Sequence, residues 1–253
     1  MRASEDWKPV FNLGLSRTGT TSLACAFFAL GLRSVHDAIG TDAGQNASLR
    51  LHVPIPNVRA AHRRDILVEW TNALVDPTHP RHTAVLAPLR AYDTFGDNPF
   101  YGADDRTTTL RERLAAVIPN ARFVCTSRSR ESWVRSMTTR HPYAGGDYLA
   151  GLANTTKPFR EPGKLAAFFH RHNATECKDV PTLNLDACAE PDCSDAWGWL
   201  ASVLRDVNPE AAALARVFHA SQLPWARAES IAKLRRPNAT NPTGVGRRCP
   251  FAI

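Results

Sequence analysis

Apolar and polar positions along this chain change rhythm several times, and each change marks an element. Val10-Phe-Asn-Leu-Gly-Leu15 is almost continuously apolar, as expected of a short strand buried on both faces. It runs straight into the polar loop Ser16-Arg-Thr-Gly-Thr-Thr-Ser22. Leu23-Ala-Cys-Ala-Phe-Phe-Ala-Leu30 follows, apolar and rich in helix formers, and stops at Gly31, a C-terminal cap. Residues 33–57 carry Gly40, Gly44, Pro54 and Pro56 and read as irregular. Ala61, Ile66, Leu67, Trp70 and Leu74 recur at helical spacing and predict a helix over 58–75. Thr83-Ala-Val-Leu-Ala87 reads as a second strand, and Leu110, Leu114 and Val117 predict a helix over 106–117. Pro119-Asn120 turns the chain into a third strand, Arg122-Phe-Val-Cys-Thr126, with a helix at about 130–140 behind it. The stretch 141–181 reads as loop, Thr182-Leu-Asn-Leu-Asp186 as a fourth strand, and Ala196–Leu204 and 225–235 as helices.

Strands alternating with helices predict an α/β fold, with a central parallel sheet covered by helices on both faces. At 253 residues the chain suits one domain over 1–253, with an N-terminal extension at 1–9 and a C-terminal tail at 237–253. No apolar run approaches the roughly 20 residues that cross a bilayer, and the polar start Met1–Pro9 does not read as a signal peptide.

Charge narrows the ligand. A net charge of +7 suits a polyanion, but Lys and Arg are scattered in short clusters such as Arg63-Arg64, Arg235-Arg236 and Arg247-Arg248. No aromatic and basic interleaving marks a nucleic-acid surface, so nucleic acid is not an expected partner. Of six cysteines, Cys25 and Cys125 fall in predicted core elements and read as packed thiols. Cys177, Cys188, Cys193 and Cys249 fit no zinc spacing and are expected to supply at least one disulfide, with Cys188–Cys193 the simplest pairing. Asn46-Ala-Ser, Asn154-Thr-Thr, Asn173-Ala-Thr and Asn238-Ala-Thr match the N-glycosylation acceptor pattern. Disulfides and glycans together favour the secretory or Golgi lumen over the cytoplasm.

The chemistry concentrates at Gly14-Leu-Ser-Arg-Thr-Gly19-Thr-Thr-Ser22, between a strand and a helix. Two glycines let successive backbone N–H groups turn inward, and the helix start adds its positive dipole end. The ATP/GTP form of this loop, G-x-x-x-x-G-K-[ST], has Lys after the second glycine, whereas Thr20 stands here and a cation appears earlier, at Arg17. No Asp reads as the Mg²⁺ ligand expected at the end of an apolar strand. The unit is therefore P-loop NTPase-like in form and departs from an NTPase in its chemistry.

This loop resembles the 5′-phosphosulfate loop of the sulfotransferase superfamily, whose members carry forms like [KR]-[ST]-G-T-[TS]. The resemblance implies that 3′-phosphoadenosine-5′-phosphosulfate (PAPS, leaving PAP) is the donor, bound by Ser16, Arg17, Thr18, Gly19, Thr20, Thr21 and Ser22, with Arg17 at the transferring sulfuryl group. Arg17 stands where many members have Lys, a point charge rather than a fork. Arg122-Phe-Val-Cys-Thr-Ser-Arg128-Ser-Arg-Glu-Ser-Trp-Val-Arg-Ser136 resembles the family's 3′-phosphate element, an Arg ending a strand and a Ser eight residues on, which implies Arg128 and Ser136. Tyr92–Tyr101 and Asp195-Ala-Trp-Gly-Trp-Leu200 are similar to further family segments, so the resemblance covers about 10–36, 92–137 and 182–209.

Transfer to an acceptor hydroxyl needs a base; in the resembling family it is a His or Glu, which in several glycan-modifying members lies about 20 to 30 residues after the loop cation. His36 and Asp37 stand there, and His36 titrates in the useful range. Asp93, Asp97 and His52 are held in reserve. The implied reaction moves a sulfuryl group to a hydroxyl of a glycan or small molecule and requires no metal. Two alternatives stand beside it: a nucleotide kinase or NTPase, and a non-catalytic nucleotide-binding protein on the same fold.

Overall fold

The structure is a computed structural model that describes residues 7–15, 18–36, 71–96, 108–140, 161–186 and 194–217. Five strands form one sheet: β1 (Val10–Asn12), β2 (Ser34–His36), β3 (Thr94–Gly96), β4 (Arg122–Ser127) and β5 (Thr182–Asn184). Their spatial order is β2-β3-β1-β4-β5 and every pairing is parallel. The registers Val10↔Thr94 and Val10↔Arg122 align β1 with a neighbour on each side.

Among the described residues these helices pack around the sheet: α1 (Thr20–Ala29), α2 (His82–Leu89), α3 (Leu110–Val117), α4 (Arg130–Arg140), α5 (Pro162–Thr175), α6 (Ser194–Leu204) and α7 (Pro209–Val217). The pleat sorts the strand residues between the two faces. Phe11, Phe95 and Cys125 turn one way and bury with Val85, Leu86 and Leu89 of α2 and Leu110 and Leu114 of α3. Val10, Val124 and Leu183 turn the other way, against Leu23, Ala26 and Phe27 of α1, Trp197 and Leu200 of α6 and Ala211 of α7. Phe11 stacks on Phe95 at 4.7 Å and on Phe123 at 5.9 Å, a ladder of rings across three adjacent strands. The expected α/β fold, with both faces of a parallel sheet covered, is the observed one.

Several local expectations need correction. Residues 83–87 belong to helix α2, not to a strand. Val85, Leu86 and Leu89 share the buried face while Thr83, Ala84 and Ala87 are exposed, a helical period that the five-residue run is too short to show. Residues 34–36, read as irregular, form edge strand β2, and 94–96 form β3; each is three residues long, too short for alternation to register. The stretch 141–181 was expected as loop, yet it contains α5, whose Leu165, Phe168 and Phe169 are buried. Helix α7 was also unforeseen. Residues 71–75 are helical, the end of the predicted 58–75 helix, and Gly31 caps α1 with φ of 77°. The predicted helix at 225–235 lies outside the described residues.

The cysteines are corrected too. Cys125 and Cys177 form a disulfide with Cα atoms 5.8 Å apart, and Cys25 is also disulfide-bonded, so neither core cysteine is a thiol. Cys125 points to the face where the turn after α5 delivers Cys177, a neighbour 52 residues away that spacing arguments do not reach. Cys177 thus takes a partner outside the expected set, while Cys188, Cys193 and Cys249 lie outside the described residues.

Candidate active site

The loop after β1 is held by a buried polar relay. Asn12, 4% exposed in an otherwise apolar strand, accepts through Oδ1 from the backbone N–H groups of Gly14 and Thr126, each at 3.0 Å. Its Nδ2 donates to Thr126 Oγ1 at 3.1 Å. Thr18 Oγ1 donates to the Leu15 carbonyl at 2.6 Å and lies 2.8 Å from Thr126 Oγ1. A hydroxyl has one proton, so Thr126 is left to donate to Thr18, and the donors run one way: Asn12, Thr126, Thr18, Leu15 carbonyl. Gly14 is obligatory here, because a Cβ would come within 2.4 Å of the Thr126 carbonyl.

Apolar contacts and one histidine fix the same loop from outside. Leu15 is buried among Trp133 and Met137 of α4 and Leu165, Phe168 and Phe169 of α5. Burying such a side chain is worth roughly 1.5–3 kcal/mol. His172 of α5 donates through Nε2 to the Leu13 carbonyl at 2.8 Å. Gly19, at φ of 96°, starts α1 in the left-handed region, and a Cβ there would fall 1.5 Å from Leu185 Cδ1. Thr20, Thr21 and Ser22 open the helix. Its N-cap, Gly19, has no side chain to cap it, and its first turn has no acid, so its positive end meets no carboxylate from that turn.

A second cationic corner stands at the end of β4, the strand beside β1. Arg128 follows Ser127, and its Nη2 lies 3.6 Å from Asp186 Oδ1. Ser129 begins α4: its hydroxyl accepts from the Ser132 N–H at 3.3 Å, and its own N–H donates to Asp186 Oδ2 at 2.5 Å. Burial pushes the Asp186 carboxyl upward, but the Ser129 hydrogen bonds and the Arg128 charge outweigh it, and the pKa lies below its ordinary value. Ser132 and Ser136 are four residues apart on α4 and share a side of the helix, both half-buried.

Residues 9–160 match the sulfotransferase domain family. The chain belongs to the sulfotransferase family. No curated protein matches it. The span matched includes β1 to β4 and stops short of α5, so His172, Leu185 and Asp186 of this sulfotransferase lie beyond it.

The fold brings the two expected phosphate elements of the sulfotransferase side by side on adjacent strands, with Thr18 to Ser22 after β1 and Arg128 after β4. Ser16, Arg17, Asp37, Asp97 and His52 lie outside the described residues. The backbone of His36 ends β2 and pairs with Gly96, on the same edge of the sheet as the loop and two strands from β1. At strand spacing of about 4.8 Å that is roughly 10 Å across. Asp93 is excluded as a base by position. It precedes β3, at the opposite edge, and its carboxylate is engaged by the Arg33 guanidinium at 2.9 and 3.0 Å. Asp97 follows β3 directly in sequence, so an acid does succeed a strand adjoining β1, contrary to the sequence reading.

The sequence also did not single out Asn12, Thr126, His172, Leu185 or Asp186. Asn12 alone carries a signal, a polar residue inside an apolar run. Among the described residues no His, Cys, Asp and Glu cluster has metal-binding geometry, and no helix is long and apolar enough to cross a membrane.

Proposed function

We propose that this sulfotransferase takes its sulfuryl group from PAPS and delivers it to a hydroxyl of a glycan or small molecule. The observation that carries this reading is the adjacency of two elements of different chemistry, each suited to an anion. One is a hydroxyl-rich, acid-free helix start after β1, and the other is a guanidinium at the end of β4, the next strand. A donor with separate 5′ and 3′ phosphate groups needs two such elements, and the donor set present fits it. PAPS supplies the activated sulfuryl group. Ser16 to Ser22 bind the 5′ side, with Arg17 countering charge on the transferring group, and Arg128 and Ser136 bind the 3′-phosphate. His36 takes the proton of the acceptor hydroxyl, with Asp37 beside it in sequence. The disulfides of Cys125 and Cys25 support a life in an oxidising compartment such as the Golgi lumen. Asn173, the one sequon asparagine among the described residues, sits in α5 and donates through Nδ2 to the Phe169 carbonyl at 2.9 Å.

A second reading, a Mg²⁺-dependent nucleotide phosphotransferase, draws on Asp97, which follows the strand beside β1. Thermal unfolding separates the two. PAP at a hundredfold its Kd should stabilise the protein by about 2.7 kcal/mol, and ATP–Mg²⁺ far less. Equal protection by ATP–Mg²⁺ overturns the PAPS reading. For the base, His36→Ala should lower kcat by about 10²–10⁴-fold with PAP affinity little changed. Near-normal turnover would pass the role to Asp37 or Asp97.

A further inference from the structure

The corner after β5 belongs to neither phosphate element and touches both. Parallel pairing sets Ser127 opposite Asn184, so the chain leaving β4 and the chain leaving β5 emerge together. The Leu185 N–H donates to the Ser127 carbonyl at 2.9 Å, which carries the ladder one residue past the strand. Leu185 then fills the space over Gly19, on the first element. Asp186 turns back through its N–H to Asn184 Oδ1 at 3.1 Å, and its carboxylate meets the second element at Ser129 and Arg128.

The contact with Ser129 completes a known helix-start arrangement by an unusual route. In a capping box, the N-cap hydroxyl serves the N–H of the third helical residue, whose long acidic side chain reaches back to the N-cap N–H. In α4 the first half is present, Ser129 to Ser132, but a Ser side chain is too short to return. Asp186 supplies the second half from 57 residues away. Its other oxygen, at 3.6 Å from Arg128 Nη2, is beyond charge-assisted hydrogen-bond range and both side chains are about a third exposed. Such a pair adds little stability.

We propose that Asp186 is a positioning residue for the 3′-phosphate: it fixes the Arg128–Ser129 corner and turns the guanidinium toward the nucleotide, while Leu185 ties that corner to the Gly19 loop. This rests on the donor reading above. Calorimetric Kd values for PAP and for adenosine 5′-phosphosulfate, which lacks the 3′-phosphate, test it in Asp186→Ala, Asp186→Asn and Arg128→Ala. Asp186→Ala should weaken PAP by about tenfold and leave adenosine 5′-phosphosulfate nearly unchanged. Asp186→Asn keeps an acceptor for the Ser129 N–H and should lose only about threefold, again for PAP alone. A purely structural role would weaken both nucleotides alike, and that outcome overturns the proposal. So does tighter PAP binding by Asp186→Asn, which would mean that the carboxylate repels the phosphate. If Arg128→Ala loses PAP selectively while the Asp186 variants keep the wild-type PAP preference, Asp186 has no such role and the donor reading stands. If Arg128→Ala itself shows no preference, the 3′-phosphate assignment fails and this inference with it. Should Asp186→Ala not fold, Asp186→Asn decides alone, and an unchanged ratio of the two Kd values overturns the proposal.

Discussion

The starts of α3 and α1 are opposites. At α3, Thr109 and Glu112 form a complete capping box, with Glu112 accepting from the Thr109 N–H at 2.7 Å and Thr109 from the Glu112 N–H at 3.1 Å. Glu176, brought in at the end of α5, accepts from the N–H groups of Leu110 and Arg111. Two carboxylates thus close that terminus, and nothing is left for a ligand to bond. At α1 no carboxylate stands in the first turn, and the N-cap is a glycine with no side chain to cap it. The α4 start lies between, with its N-cap served by Asp186. A helix start saturated by its own protein leaves no donor for a ligand, whereas an acid-free start is electrostatically suited to an anion.

That contrast can be broken in four ways, the largest first. Cys125→Ala with Cys177→Ala removes the cross-link beside Glu176 and should cost about 4 kcal/mol, the closure entropy of a 52-residue loop, read from urea unfolding. A loss below about 1 kcal/mol would mean that the chain holds Glu176 in place without the cross-link. Next, Thr21→Glu gives α1 the first-turn acid that α3 has. PAP should weaken by at least about a hundredfold, because like charges brought together cost several kcal/mol, while the melting temperature should not fall. Normal PAP binding by this variant would remove α1 from the site. Thr109→Ala should then cost about 1 kcal/mol in the urea midpoint and leave the PAP Kd unchanged. A shifted Kd would show that the closed terminus reports to the nucleotide after all.

The smallest effect is one of pH. The Thr109 backbone and hydroxyl hold Glu112 below its ordinary pKa, and Asp186 is also depressed. A depressed carboxylate stabilises the fold above its unfolded pKa, about 4, and the gain is lost as the pH falls through the folded value. The stability difference between the wild type and Asp186→Asn should therefore be constant near neutrality and shrink in acid. A difference that persists in acid would mean that the Asp186 charge contributes nothing to it.

How far the site could be read from sequence follows from the range of each interaction. Gly14, Gly19 and the polar run between them are local and legible, as are Arg128 and the strand–helix unit around it, because the glycine spacing and the apolar run of β4 lie within single windows. The edge strands β2 and β3 escape because three residues carry no period. Helix α5 does carry one, with Leu165, Phe168, Phe169 and His172 at helical spacing, but the neighbouring Pro158 and Gly163 disguise it as loop. The Cys125–Cys177 bond and the Asp186–Ser129 contact join positions more than 50 residues apart, and only the closed sheet makes them neighbours.

The fifth strand has a practical consequence. The family match ends at residue 160, and a chain cut at that border would keep every glycine and arginine of the two loops. It would also turn β4 into a raw outer strand, whose row of unsatisfied amides invites another molecule to pair there. Cys125 would be a lone sulfhydryl in an apolar interior, and the anchors at residues 172, 176, 185 and 186 would be gone. The border of what makes this chain recognisable and the border of what lets it stand as a solid body fall at different residues.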